Sequence, residues 1–147
     1  MRALVQRVHR ASVTVDTHIV GAISTGLLVL LGVGREDDAK DCTYVAQKIL
    51  GLRVFEDDTG RMNRSVREAE GAILLVSQFT LYGDVRRGRR PGFDRAAPPE
   101  QALPVYNAVK DALRAEVQVE TGVFGAHMDV ALVNDGPATF WIDSHHR

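Results

Sequence analysis

Cysteine is almost missing from this chain. Among 147 residues only Cys42 carries a thiol, so no internal disulfide can form. Long hydrophobic runs are missing too. The longest, Leu27–Val33, is interrupted by Gly32 and falls far short of the ~20 residues that cross a bilayer. Arg2 and Arg7 break any signal-peptide core in the opening segment. These features predict a cytoplasmic protein with no membrane partner. The charge has no strong bias, with a formal net of −1, which argues against bulk electrostatic binding of DNA or another polyanion.

The familiar catalytic signatures are absent as well. There is no G-x-S-x-G elbow, no phosphate-binding loop, no dinucleotide glycine pattern and no C-x-x-C. His9, His18, His127, His145 and His146 include no pair at the helical i, i+4 spacing of a metal site. No metal and no cofactor is expected. Ser77, His127 and Asp129 could be written down as a triad, but nothing in their spacing favours it.

What is present suits one domain spanning residues 1–147, with 45% hydrophobic residues to fill its core. Leu4–Val8, Ala11–Val15 and Ile19–Ile23 read as short strands, and Leu27–Val33 as a strand buried on both faces. Asp37 and Asp38 open a helix. Its apolar stripe is Ala39, Cys42, Val45, Ala46, Ile49 and Leu50, and Gly51 stands where a C-cap glycine belongs. Cys42 on that stripe reads as a packed thiol rather than a nucleophile.

Leu52–Phe55 and Ala72–Leu81 follow as strands. A second helix runs from Pro99 or Leu103 to Ala115, with Leu103, Tyr106, Val109 and Leu113 inward and Pro104 tolerable only in its first turn. Val117–Glu120, Met128–Asn134 and Thr139–Asp143 complete the strands. The expected fold class is α+β, a mainly antiparallel sheet or partial barrel with two main helices.

Three segments invite a functional reading. Ser77-Gln78-Phe79-Thr80-Leu81-Tyr82-Gly83-Asp84 turns an apolar strand abruptly polar, which fits either a capped strand end or a site. Asn134-Asp135-Gly136-Pro137-Ala138-Thr139 has turn chemistry, and an X–Pro bond on sequence grounds alone is expected to be trans. Arg86, Arg87, Arg89 and Arg90, with Arg95 close behind, make a mobile basic loop that is either solvated or a phosphate contact.

At these segments the chain resembles the D-aminoacyl-tRNA deacylases. The family's S-Q-F-T-L string stands here as Ser77–Leu81 and its N-x-G-P-x-T as Asn134–Thr139. Further landmarks occur in order: Gln6-Arg7-Val8, Gly26–Val33, Arg61-Met62-Asn63, and Gly122 through Met128. One departure is Gly92, where the basic loop of the family often carries serine.

The resemblance implies a homodimer acting on aminoacyl-tRNA. Its Gly136–Pro137 bond would be cis, and that turn, with Asn134 and Thr139, would reach the partner's Ser77, Gln78, Phe79 and Thr80. It further implies oxyanion stabilisation by backbone N–H groups around Gln78, Phe79 and Thr80, help from the tRNA 2′-hydroxyl, and tRNA contacts from Arg86, Arg87, Arg89 and Arg90. Glycyl-tRNA would be hydrolysed along with D-aminoacyl-tRNA, and L-aminoacyl-tRNA spared.

Overall fold

The computed structural model describes residues Met1–Arg147. Its first strand, β1, runs unbroken from Arg2 to Val15 instead of as two short pieces. The reason is its neighbours. Along one edge β1 pairs antiparallel with β3 (Gly26–Gly32) and then with β2 (His18–Ile23); along the other it pairs with β8 (Asp129–Asp143) over nearly its whole length.

The sheet is mixed rather than strictly antiparallel. β3 pairs parallel with β6 (Ala72–Ser77), and β6 parallel with β7 (Val119–Thr121). Parallel neighbours need a long crossover, and each crossover here carries a helix. The first holds α1 (Ala39–Gly51) with the small β4 (Phe55–Glu56) and β5 (Met62–Arg64) pair, and the second holds α2 (Pro99–Arg114). β2 returns against β6 and β7, so the sheet curls into a nearly closed barrel.

Burial on both faces of β3 follows from this layout. Leu27, Val29 and Leu31 face α1 and α2 in the larger core with Ile49, Val109 and Leu113, while Leu28 packs inside the barrel with Val8, Val13 and Leu74. The helices start as their residues dictate. Asp38 caps α1, accepting from the Asp41 N–H while the Asp41 side chain accepts from the Asp38 N–H at 2.9 Å, a reciprocal capping box. Asp37 is diverted elsewhere. It accepts from the Met1 ammonium at 2.5 Å and the Gly34 N–H at 2.6 Å.

Several boundaries shift. Gly51 is the last residue of α1, and Leu52 caps it by donating to the Lys48 carbonyl. Of Leu52–Phe55 only Phe55 enters a strand. α2 begins at Pro99, so Pro104 lies in its second turn on the solvent side, where water can serve the freed carbonyl; Leu103 is exposed too. No helix is long and apolar enough to cross a membrane.

Candidate active site

The polar strand end is a change of backbone, not more strand. β6 stops at Ser77, opposite Leu31 of β3, and Phe79–Tyr82 winds into a short 3₁₀ turn. Gln78 still donates its N–H to the Leu31 carbonyl at 2.8 Å, so that group is already used. Leu81 donates to the Gln78 carbonyl at 3.2 Å and Gly83 to the Thr80 carbonyl at 2.9 Å. The N–H groups of Phe79 and Thr80 open the turn, ahead of any acceptor within it. The Gln78 side-chain amide donates to the Thr80 hydroxyl, fixing both side chains above the turn.

Beside this turn lies a cavity of about 610 Å³ at the carboxyl ends of β3 and β6, the place where ligands bind parallel sheets. Ser77, Gln78 and Phe79 form one wall; Phe93, Phe124 and Met128 are among the apolar residues of the others. Phe93 meets Phe79 edge-on, ring centres 5.0 Å apart, which ties the segment after the basic loop to the strand end. Tyr106 closes the floor. Its hydroxyl donates to the Leu75 carbonyl at 3.0 Å, and burial pushes its pKa up to about 12.

No triad assembles in this cavity. The His127 side chain is 98% exposed, its Nε2 is 4.0 Å from Asp129, and no hydrogen bond joins it to Ser77. Cys42 is buried on the inward face of α1, outside the cavity.

The Asn134–Thr139 segment is not a hairpin turn. Residues before and after it both pair with β1, Asn134 with Val8 and Thr139 with Gln6, so it is an outward bulge in one continuous strand. The Gly136–Pro137 bond is cis, as the resemblance implies and against the trans expectation from the residues alone. Asn134 clamps the bulge, its amide donating to the Ala138 carbonyl at 3.2 Å and its oxygen accepting from the Ala138 N–H at 3.0 Å. Gly136 sits at φ +124°, left-handed territory that glycine alone occupies easily, and a Cβ there would stand 3.1 Å from Arg7 Nη2.

Sequence reasoning gave Arg7 no role. It is only 4% exposed beneath the bulge, donates to the Val54 carbonyl, and places Nε 3.1 Å from Asp135 Oδ2 without the alignment of a hydrogen bond. A basic residue on an inward strand position was the available signal. Gly136, Pro137 and Thr139 are exposed, and neither they nor Asn134 line the cavity. Within one chain, then, the two marker segments do not meet.

The basic loop is pinned at its base rather than free. Asp84 and Gly92 exchange backbone hydrogen bonds of 2.7 and 2.9 Å. Arg86 folds back onto Asp84, whose carboxyl that guanidinium and its N–H hold far below the usual range. Arg87, Arg89 and Arg90 stay exposed, with no ion pair to an acid.

Fold and cavity together define a class: a mixed-sheet, near-barrel α+β protein with a ligand-sized cavity at its parallel strand ends. Known proteins narrow this. The family model described as D-Tyr-tRNA(Tyr) deacylase matches residues 4–143, and the chain belongs to that family. It is 64% identical to a D-aminoacyl-tRNA deacylase of Symbiobacterium thermophilum, covering 98% of this chain and 96% of that one. It is 58% identical to one of Thermus aquaticus, covering 100% and 97%. Among solved structures, the c-Myc DNA Unwinding Element Binding Protein is 45% identical with a TM-score of 0.94, covering 98% and 99%. A probable eukaryotic D-amino acid tRNA deacylase shares the fold at 18% identity and a TM-score of 0.79, covering 96% of this chain and 97% of that one.

Proposed function

We propose that this protein hydrolyses the ester joining a D-amino acid, or glycine, to the terminal ribose of tRNA, and spares L-aminoacyl esters. The observation that carries the reading is the pair of N–H groups, Phe79 and Thr80, opening a turn at an apolar cavity that lacks an activated side chain. Water adds to the ester carbonyl and the oxygen gains negative charge. The two N–H groups stabilise that charge, a contribution of ~3–4 kcal/mol for a strong donor. The carbon–oxygen bond to ribose then breaks and the ribose oxygen takes the proton. The neighbouring ribose hydroxyl, held at the reaction centre, assists the attack. Ser77, Gln78 and Thr80 orient the ester.

A second copy of the chain completes the site. β8 is an edge strand, paired on one side only, 15 residues long and carrying the exposed Trp141. Such an edge invites a partner. Gly136 and Pro137 project from it on a clamped bulge, suited to enter the other copy's cavity as a wall of backbone. That wall excludes an L side chain by clash and has no grip on a D side chain, so glycine passes.

The test is the rate of deacylation of glycyl-, D-alanyl- and L-alanyl-tRNA on one tRNA body. Glycyl and D-alanyl esters are expected to be hydrolysed and the L-alanyl ester spared. Positive recognition of a methyl gives only a factor of ~10–200, so strong sparing of glycine would overturn exclusion by clash. Duplex DNA added as competitor leaves these rates unchanged on this reading.

A further inference from the structure

A second cavity, of about 320 Å³, shares Arg35 with the first and has the opposite character. Seven of its eight lining residues are polar or glycine, among them Arg35, Glu36, Asp94 and Arg95. Tyr82 also lines it. Its side chain is 4% exposed, and its hydroxyl is buried with no hydrogen-bond partner. Gly34, another lining residue, leaves the space the hydroxyl occupies, for a Cβ there would stand 2.7 Å from it. An unpaired buried hydroxyl is unfavourable unless something enters to meet it.

The Asp37 carboxylate at the same cavity is already satisfied by the Met1 ammonium, the Gly34 N–H and His145 at 2.8 Å, which leaves it little capacity to ligate a metal. Arg95, by contrast, is exposed and forms no ion pair.

We propose that this cavity holds the nucleotide that precedes the terminal adenosine of the tRNA substrate, a cytidine, with its phosphodiester on Arg35 and Arg95 and its base against Tyr82. The proposal rests on the deacylase reading of the first cavity. Three features support it. Arg35 lines both cavities, and the Phe93–Ala97 segment supplies walls to each, so the two cavities adjoin. Both signs of charge are present. A bare phosphate has no use for Asp94 and Glu36, whereas the cytosine amino group donates to a carboxylate and its carbonyl accepts from a hydroxyl. Guanidinium groups at the junction match phosphate oxygens.

The experiment compares kcat/KM for D-alanyl-tRNA and for D-alanyl-adenosine, which lacks the preceding nucleotide, in wild type, Tyr82→Phe and Arg95→Gln. Tyr82→Phe keeps the ring under Arg2 and removes only the unpaired hydroxyl, so thermal melting is expected to show an intact fold. Each variant should lower the ratio of the two kcat/KM values about tenfold, through KM. The dinucleotide cytidylyl-adenosine should also inhibit wild type better than adenosine, and lose that advantage in both variants. A ratio at its wild-type value in both variants, or equal losses on both substrates, would overturn the proposal. Wild type that hydrolyses neither substrate would overturn the deacylase reading, and this one with it.

Discussion

Cys42 shows how burial settles the role of a reactive side chain. It is 8% exposed in the helix-side core, with Sγ 3.8 Å from the Val105 carbonyl. Burial pushes its pKa up, and the charges of Asp37 and Asp41 push it further, so the nucleophilic thiolate is disfavoured. Cys42→Ala is therefore expected to leave deacylation intact while costing about 1 kcal/mol of stability through lost packing. Thermal melting alongside the deacylation rate checks both halves. Gly92 is a second residue whose surroundings decide. A Cβ there would meet nothing within 4 Å, so the structure accommodates the serine common in the family and gives no packing reason for its loss.

At the scale of elements, two surface turns carry distinct electrostatics. Between β4 and β5, Asp57 accepts from the Thr59 hydroxyl and from the N–H groups of Arg61 and Thr59, which bring its pKa down to about 2. A carboxylate depressed on folding contributes stability above its unfolded pKa, ~3.9, and loses it as pH falls through the folded value. The melting-temperature gap between wild type and Asp57→Ala should thus be full at neutral pH and close as pH drops from about 4 towards 2.

In the basic loop, Arg86 is spent on Asp84, so Arg87, Arg89 and Arg90 are the exposed guanidinium groups left without an ion pair. Replacing those three by glutamine is expected to weaken tRNA binding and to reduce the slope of log K against log salt by about 2. Binding measured at several salt concentrations reads this directly, and an unchanged slope would mean a merely solvated loop.

Assembly is the property of the whole molecule on which the proposed site depends, because Gly136 and Pro137 lie outside the cavity that holds Ser77, Gln78 and Phe79. Light scattering is expected to show a dimer. Trp141, exposed on the β8 edge, is the natural anchor. Trp141→Asp should weaken the dimer by about 2 kcal/mol or more. Activity should then fall on dilution in step with the loss of dimer. A fully active monomer would end the shared-site reading.

Much of this was legible in the chain itself. The apolar run Leu27–Val33 reads as a strand covered on both faces, and the stripe from Ala39 to Leu50 as a helix packed on that sheet. The strings at Ser77 and Asn134, with the other landmarks in order along the whole chain, sufficed for the family. What the sequence could not express was whatever depends on distant partners. Two predicted strands became one β1 because β8 pairs along both, and the sheet became mixed because each helix crosses over between parallel strands. The polar end of β6 left the sheet for a 3₁₀ turn, and the Gly136–Pro137 segment became a bulge because β1 holds both its flanks. Arg7 and Tyr82 stand out only through burial, 4% exposed each, one beneath the bulge and the other at the second cavity. Local pattern sets which residues must be hidden. Only the packed molecule decides what each hidden polar group faces, since that is a matter of contact between residues far apart in the chain.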